Sequence, residues 1–260
     1  MIRFSVVTIT YNAGAVLRRT TDSVKGQKYA NVEHIIVDGA STDSTLKVAA
    51  DYIKKSNAAD NGHEIRLISE PDHGLYDAMN KGLAAATGDY VVFMNAGDAF
   101  HSADTLAQVA QAAMSGDDGP LPAVLYGDTD IVDADGNFMA HRRLTPPERL
   151  TWRSFRSGML VCHQSFYARA DLAKRTPYDL KYRFSADVDW CIRVMKEASA
   201  MRMPMVRVRH VLSDYMREGQ TTLHHKESLH ERFLVMCEHY GFLSTVAMHL
   251  WFALRMMLKR

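Results

Sequence analysis

Two carboxylates pose the chemical question in this chain. Asp98 closes the stretch Tyr90 to Asp98, where five apolar or aromatic residues give way to Asn95, Ala96, Gly97 and Asp98. A short apolar run reads as a buried strand, and polar groups at the carboxyl end of such a strand stand where open α/β sheets take ligands. A carboxylate there suits a small hard divalent cation, which prefers oxygen. Capping of a following helix, expected over 99–113, would also explain it. The second carboxylate is Asp187, in Phe184-Ser185-Ala186-Asp187-Val188-Asp189-Trp190. Two aspartates flanking one valine at a helix start can act as base and positioner, or can simply favour the helix dipole.

Other polar clusters follow apolar runs in the same way. Thr8-Ile9-Thr10-Tyr11-Asn12 offers hydroxyl and amide groups to a base or ribose, and Tyr11 offers a ring for stacking. Asp38 follows a largely apolar run, and Gly39 permits a tight turn. The Asp38 carboxylate can accept a base N–H, while Ser41, Thr42 and Asp43 suit the cap of the next helix. Glu70, Asp72, His73 and Asp77 crowd around Pro71 and Gly74, with Lys81 one turn on and within reach of a phosphate. Neither a dinucleotide G-x-G-x-x-G nor a G-x-x-x-x-G-K-[ST] phosphate loop is present. His163-Gln164-Ser165 falls on an expected strand over 161–168. Arg217 opens a late loop, Arg217 to Thr222, suited to covering phosphates.

The elements that must position these groups alternate. Strands are expected over 4–9, 32–37, 65–69 and 90–94, with helices over 15–24, 44–55 and 75–86 between them. That alternation means βαβ units and a mainly parallel sheet. Beyond 113 come two short strands at 124–126 and 130–133, a turn at Asp135-Gly136-Asn137 and a return strand in 138–144. A loop follows over 145–158. Then come a helix over 188–196, a strand over 205–211 and helices over 225–239 and 243–258. With 260 residues, 47% hydrophobic, the chain has material for a large core, and its net charge of +1 gives no global field for nucleic acid. Three widely spaced cysteines argue against a disulfide framework and fit a reducing cytoplasm. The start MIRFSVVTITYN does not read as a signal peptide, and no run reaches the about 18 apolar residues of a spanning helix.

Taken in order, SVVTITYN, IIVDGASTDST, SEPDHGLYDAMNKGLAAATGDYVVFMNAGD and FSADVDWCIRV resemble an inverting family-2 glycosyltransferase with the GT-A fold, over about residues 3 to 220. The branch resembled builds bacterial exopolysaccharide and capsule, the colanic-acid type. The resemblance implies a nucleotide-sugar donor (a UDP-sugar, with GDP as the alternative) and a Mg2+ or Mn2+ ion on its diphosphate. It implies an acceptor that is a glycan or lipid-linked hydroxyl. Asp187 falls at the position of the base and Asp98 at that of the metal ligand. The metal motif usually has two or three aspartates; the matching positions here read Asn95, Gly97 and Asp98. The nucleotide contacts it implies, with those read above, are Thr8, Thr10, Tyr11, Asn12, Asp38, Ser41, Glu70, Asp72, Lys81, Asn95 and Ala96. His163, Gln164, Asp189, Trp190 and Arg217 fall to the donor sugar or acceptor. Residues 1–222 form the expected catalytic domain and 223–260 a helical extension that packs on it or lies on the inner membrane surface. The rival readings are a degenerate carbohydrate- or nucleotide-binding module, and a nucleotidyltransferase on a similar sheet.

Overall fold

The computed structural model describes residues 1–115, 119–217 and 225–257. One sheet of nine strands runs through the molecule in the order β3-β2-β1-β4-β8-β6-β9-β5, with β7 added to β6. Its parallel half is β1 (Phe4–Thr10), β2 (Val32–Asp38), β3 (Glu64–Ser69) and β4 (Tyr90–Phe93). Helices α1 (Leu17–Lys25), α2 (Thr45–Ala59) and α3 (Leu75–Ala85) supply the crossovers. The alternation expected from the sequence is therefore present. Successive side chains of β1 go to opposite faces, as a strand requires. Phe4 and Val6 pack towards α4 (Thr105–Met114), whereas Val7 and Ile9 pack towards α3 and α6 (Ala186–Ala200). β1 lies between β2 and β4, so chain order reverses there and a cleft opens beyond the strand ends.

The other half departs from the sequence expectations. The helix expected from Ala99 begins only at Thr105, because Ala99–Phe100 forms β5 and pairs with β9 (Met205–Met216). Asp98 is thus not a helix cap. The two short strands expected at 124–126 and 130–133 are one strand, β6 (Val124–Val132). Its middle, Gly127-Asp128-Thr129, looks like a turn in sequence but is a shift of register against β9. A Cβ at Gly127 would sit 2.6 Å from Leu212, so only glycine fits that approach. β7 (Phe138–His141) completes the hairpin. His163–Ser165 is a single 3-10 turn rather than strand, and β8 is Phe166–Arg169. A short helix, α5 (Ala170–Arg175), follows without a clear sequence signal.

The last two helices are α7 (His225–Tyr240) and α8 (Phe242–Met257). The expected boundary at 222/223 lies outside the described residues. α7 is fastened to the segment that carries Asp187. Glu231 accepts N–H bonds from Arg183, Phe184 and Ser185 at 2.8, 2.6 and 3.0 Å. Among the described residues no helix is long and apolar enough to cross a membrane.

Candidate active site

The strand tips are laced together from below. Asn12 has a left-handed backbone, φ 47°, which asparagine tolerates. Its N–H donates to Ser41 Oγ at 2.8 Å and its Oδ1 accepts from Thr42 N–H at 2.9 Å. Asp38 is fully buried and accepts from Ser41 N–H at 3.0 Å, Ser69 Oγ at 2.7 Å and Ser41 Oγ. Its carboxylate ties the loop after β2 to the end of β3. Thr8 is turned inward as well: its Oγ1 lies 2.8 Å from His34 Nε2, and His34 Nδ1 meets the Tyr52 hydroxyl. Burial holds His34 down at about 3, so the ring is neutral.

The groups aimed into the cleft are Tyr11, 64% exposed, and Asp72. They close on Gly39, where a Cβ would lie 3.2 Å from the Tyr11 ring and 2.5 Å from Asp72 Oδ2. An exposed ring on this backbone, with a carboxylate beside it, puts a stacking face and a hydrogen-bond acceptor side by side. Asp72 Oδ1 is also fixed by Gly74 N–H at 2.9 Å. Lys81 does not reach the cleft. Its Nζ binds Glu70 at 3.0 Å and the Pro71 carbonyl at 2.6 Å, which folds the 70–74 loop onto α3.

Asp98 sits at the next strand end, 4% exposed. Oδ2 accepts from Gln164 Nε2 at 2.7 Å and Oδ1 from Met216 N–H at 2.9 Å. The Cys162 thiol donates to Gln164 Oε1 at 3.0 Å, which orients the amide. Burial pushes Asp98 up to about 7, against these bonds and the nearby charge of Arg19, which pull it down. Asn95 Oδ1, on the same turn, is buried without a hydrogen-bond partner. An orphaned amide oxygen on the turn that carries a desolvated carboxylate offers two oxygens of the kind a hard divalent cation takes. Ala96 contributes its backbone to the turn, through N–H to Ile9 carbonyl at 3.3 Å. Thr10 Oγ1, at the tip of β1, is a second buried oxygen without a partner.

Asp187 lies in the first turn of α6, half-buried. Oδ1 accepts from the Tyr76 hydroxyl at 3.1 Å and from Val188 N–H at 2.9 Å. Among the described residues Oδ2 takes no hydrogen bond. Burial first, then the Asp187 charge, raises the Tyr76 hydroxyl well above its ordinary value, so it remains a donor. A relay of aromatic side chains leads from Asp187 towards Asp98. Tyr76 stacks on Tyr178 at 5.6 Å, and Tyr178 stacks on Trp190 at 4.9 Å. The Tyr178 hydroxyl meets His163 Nε2 at 2.7 Å, and His163 stacks on Phe93 at 5.2 Å. Gln164, the next residue, reaches Asp98.

The profile of the family described as Glycosyl transferase family 2 matches residues 5–175, about two thirds of the chain. The chain belongs to glycosyltransferase family 2. It is 37% identical over 191 residues to a PGL/p-HBAD biosynthesis glycosyltransferase of Mycobacterium tuberculosis, covering 73% of this chain and 68% of that one. It is 28% identical over 218 residues to the amylovoran biosynthesis glycosyltransferase AmsB of Erwinia amylovora, covering 82% and 69%. Among solved structures, it superposes on S. aureus TarS 1–349 in complex with UDP-GlcNAc with a TM-score of 0.65, at 15% identity, over 96% of this chain and 73% of that one. The glucosyl-3-phosphoglycerate synthase of M. tuberculosis, in complex with Mn2+, UDP and glucosyl-3-phosphoglycerate, gives 0.60 at 17%, over 92% and 80%. The fold is that of these GT-A enzymes.

In this family-2 glycosyltransferase several of the residues expected at the ligand make internal contacts. Trp190 is fully buried in the aromatic wall. His163 is buried in the same wall, and burial lowers it to about 4. Asp189 is clamped by Arg193 Nε and His239 Nε2, each at 2.7 Å. Burial would raise its pKa, but His239 and Arg193 win and hold it below the usual range. Gln164 holds Asp98 through its Nε2. Arg217 is exposed and its N–H binds the Val132 carbonyl at 3.1 Å; the rest of its loop, 218–222, lies outside the described residues. Sequence reasoning missed Arg19, Tyr76, Tyr178 and Glu231. Tyr76 stands within a stretch quoted for the family, and its chemistry was the available signal. Arg19, one of an adjacent arginine pair on α1, gives none.

Proposed function

We propose that this glycosyltransferase moves a sugar, with inversion, from a nucleoside-diphosphate sugar to a hydroxyl of a glycan or lipid-linked acceptor in surface polysaccharide or glycolipid assembly. UDP is the favoured nucleotide, with GDP as the alternative. The supporting observation is Asp187: both hydrogen bonds fall on Oδ1, which leaves Oδ2 for an acceptor proton. The acceptor oxygen bonds to the anomeric carbon as the bond from that carbon to the diphosphate breaks. The proton passes to Asp187, and the nucleoside diphosphate leaves with the electron pair. Tyr76 fixes the carboxylate rotamer during the transfer. Tyr11 and Asp72 flank the base, and Arg19 places a fixed positive charge near the leaving diphosphate. Asp98 and Asn95 would hold Mg2+ or Mn2+, which supplies neutralisation of the diphosphate charge.

The rival, a binding module, draws on the missing carboxylates at 95 and 97. It predicts donor binding without turnover. A nucleotidyltransferase would instead consume a sugar phosphate and a nucleoside triphosphate. A panel of UDP- and GDP-sugars with Mn2+ separates these readings. Asp187→Asn is expected to lose transfer by on the order of 10²- to 10⁴-fold while still binding UDP. Retained transfer would remove Asp187 as base.

For the C-terminal helices we propose contact with the cytoplasmic membrane surface. Phe242, Leu243, Leu250, Trp251 and Leu254 are exposed, and the sequence ends Arg255 to Arg260 with three basic residues. An apolar face with a tryptophan and basic charge suits an anionic lipid interface. Co-sedimentation with phosphatidylglycerol vesicles, reduced in Trp251→Glu/Leu254→Glu, is the expected result. Equal sedimentation of both proteins would exclude that surface.

A further inference from the structure

Across the sheet from Gln164 lies a second group of metal-ligating side chains that the transfer reaction does not use. Asp130 of β6 and Asp214 of β9 are direct neighbours in the ladder. His141 of β7 pairs with Asp130, and its Nδ1 lies 2.7 Å from Asp130 Oδ1. His101 follows β5, and its Nδ1 lies 2.7 Å from Asp214 Oδ1. One ligand atom each from His101, Asp130 and Asp214 falls within 4.8 Å of the others. The preceding residues, Thr129 and Ser213, turn the other way and meet Ser165 Oγ at 2.7 Å each. Alternation along a strand therefore puts the two aspartates on the opposite face, away from the Gln164–Asp98 bond.

Two carboxylates side by side on adjacent strands repel each other. Among the described residues their ion-pair partners are both imidazoles, with no arginine or lysine between them. We propose that His101, Asp130 and Asp214 form a binding site for a borderline divalent cation, with Zn2+ as its type, and that His141, which stands on Asp130 outside that group of three, swings in as the fourth ligand. Two imidazole nitrogens and two carboxylate oxygens are the mixed N/O set that such ions take in tetrahedral geometry. Bonds of about 2.1 Å put tetrahedral ligands roughly 3.4 Å apart. The 2.7 Å pairs need to open by well under an ångström, while the wider separations in the group, which lie within 4.8 Å, and that of His141 need to close. The histidines are the adaptable side, since the His141 side chain is 80% exposed, whereas that of Asp130 is 6% exposed and fixed. The ion would join β5, β9, β6 and β7 at one point. It would hold β9 at Asp214, two residues before the Met216 N–H that binds Asp98. Its role is to brace the strand behind the donor site, and it takes no part in transfer.

Titration calorimetry of the full chain with ZnCl2 in nucleotide-free buffer, with metal analysis of the dialysed protein, tests this. One saturable site is expected, retained in Asp98→Asn. His101→Gln, His141→Gln and Asp130→Asn should each weaken it by at least about tenfold. The two histidine changes are at exposed positions, so they keep the test readable if Asp130→Asn fails to fold. Absence of saturable binding, or binding that survives His101→Gln and His141→Gln together, overturns the site. Binding lost in Asp98→Asn but kept in the histidine variants assigns the ion to the donor cleft and overturns it equally.

Discussion

Asp98 takes its hydrogen bonds from a strand backbone and from an amide buried behind it. Asp187 takes its own from a phenol and from the first turn of its helix. The first carboxylate is nearly sealed, and burial dominates its protonation. The second is half-open and keeps one oxygen without a hydrogen bond among the described residues. A ligand for a cation gains from desolvation, because a cation is then worth more than water to it. A base needs an exposed lone pair and a fixed rotamer. On the proposed reading, the same residue type is fitted to two tasks by what surrounds it.

The contrast is tested first at Asp98. Asp98→Asn should abolish the gain in donor affinity that Mn2+ gives, a loss of several kcal/mol of charge stabilisation. Equal donor binding with and without Mn2+ in the wild type would remove the cation from Asp98. The supports of Asp187 come next. Glu231→Gln removes a charge that holds three backbone N–H groups just before the base, and should cost about 1–3 kcal/mol of stability. Tyr76→Phe should lower kcat about three- to tenfold, the worth of one hydrogen bond, with donor KM unchanged. A Tyr76→Phe effect on KM alone would make the phenol part of donor binding.

A separate test concerns pH and stability, away from the two carboxylates. His34 and His163 are neutral in the folded state, with pKa values of about 3 and 4, below the 6.5 of an unfolded histidine. The unfolded chain therefore binds more protons below pH 6.5. Their contribution is complete above that pH and is lost as pH falls towards 4. Chemical denaturation at pH 5 against pH 7.5 should show a loss of roughly 2 kcal/mol per histidine. His163→Asn should flatten the slope.

The parallel half was legible because each apolar run and each helical spacing is local. Strands β1 to β4 and helices α1 to α3 fall within a few residues of expectation. The mixed half was not. β5 is two residues long and exists only because β9 lies beside it, and Gly127 looks like a turn until Leu212 is seen against it. At the candidate site, residue types drew attention to the strand ends and to Asp98 and Asp187, whose roles are proposals. They did not reveal side-chain direction. Thr8, Asp38, His163, Asp189 and Trp190 carry the right chemistry and face inward, because a partner distant in sequence claims each of them. Arg19 and Glu231 work through contacts 79 and 46–48 residues away, which no local pattern encodes.

Gly97 has a backbone φ of +101°, and a Cβ there would lie 2.5 Å from the Met216 methyl. Any side chain at this position is strained by the backbone before it meets Met216. An engineer wishing to restore the fuller acidic motif therefore has one open door. Asn95→Asp keeps its shape and its place, whereas Gly97→Asp would have to rebuild the turn that carries Asp98.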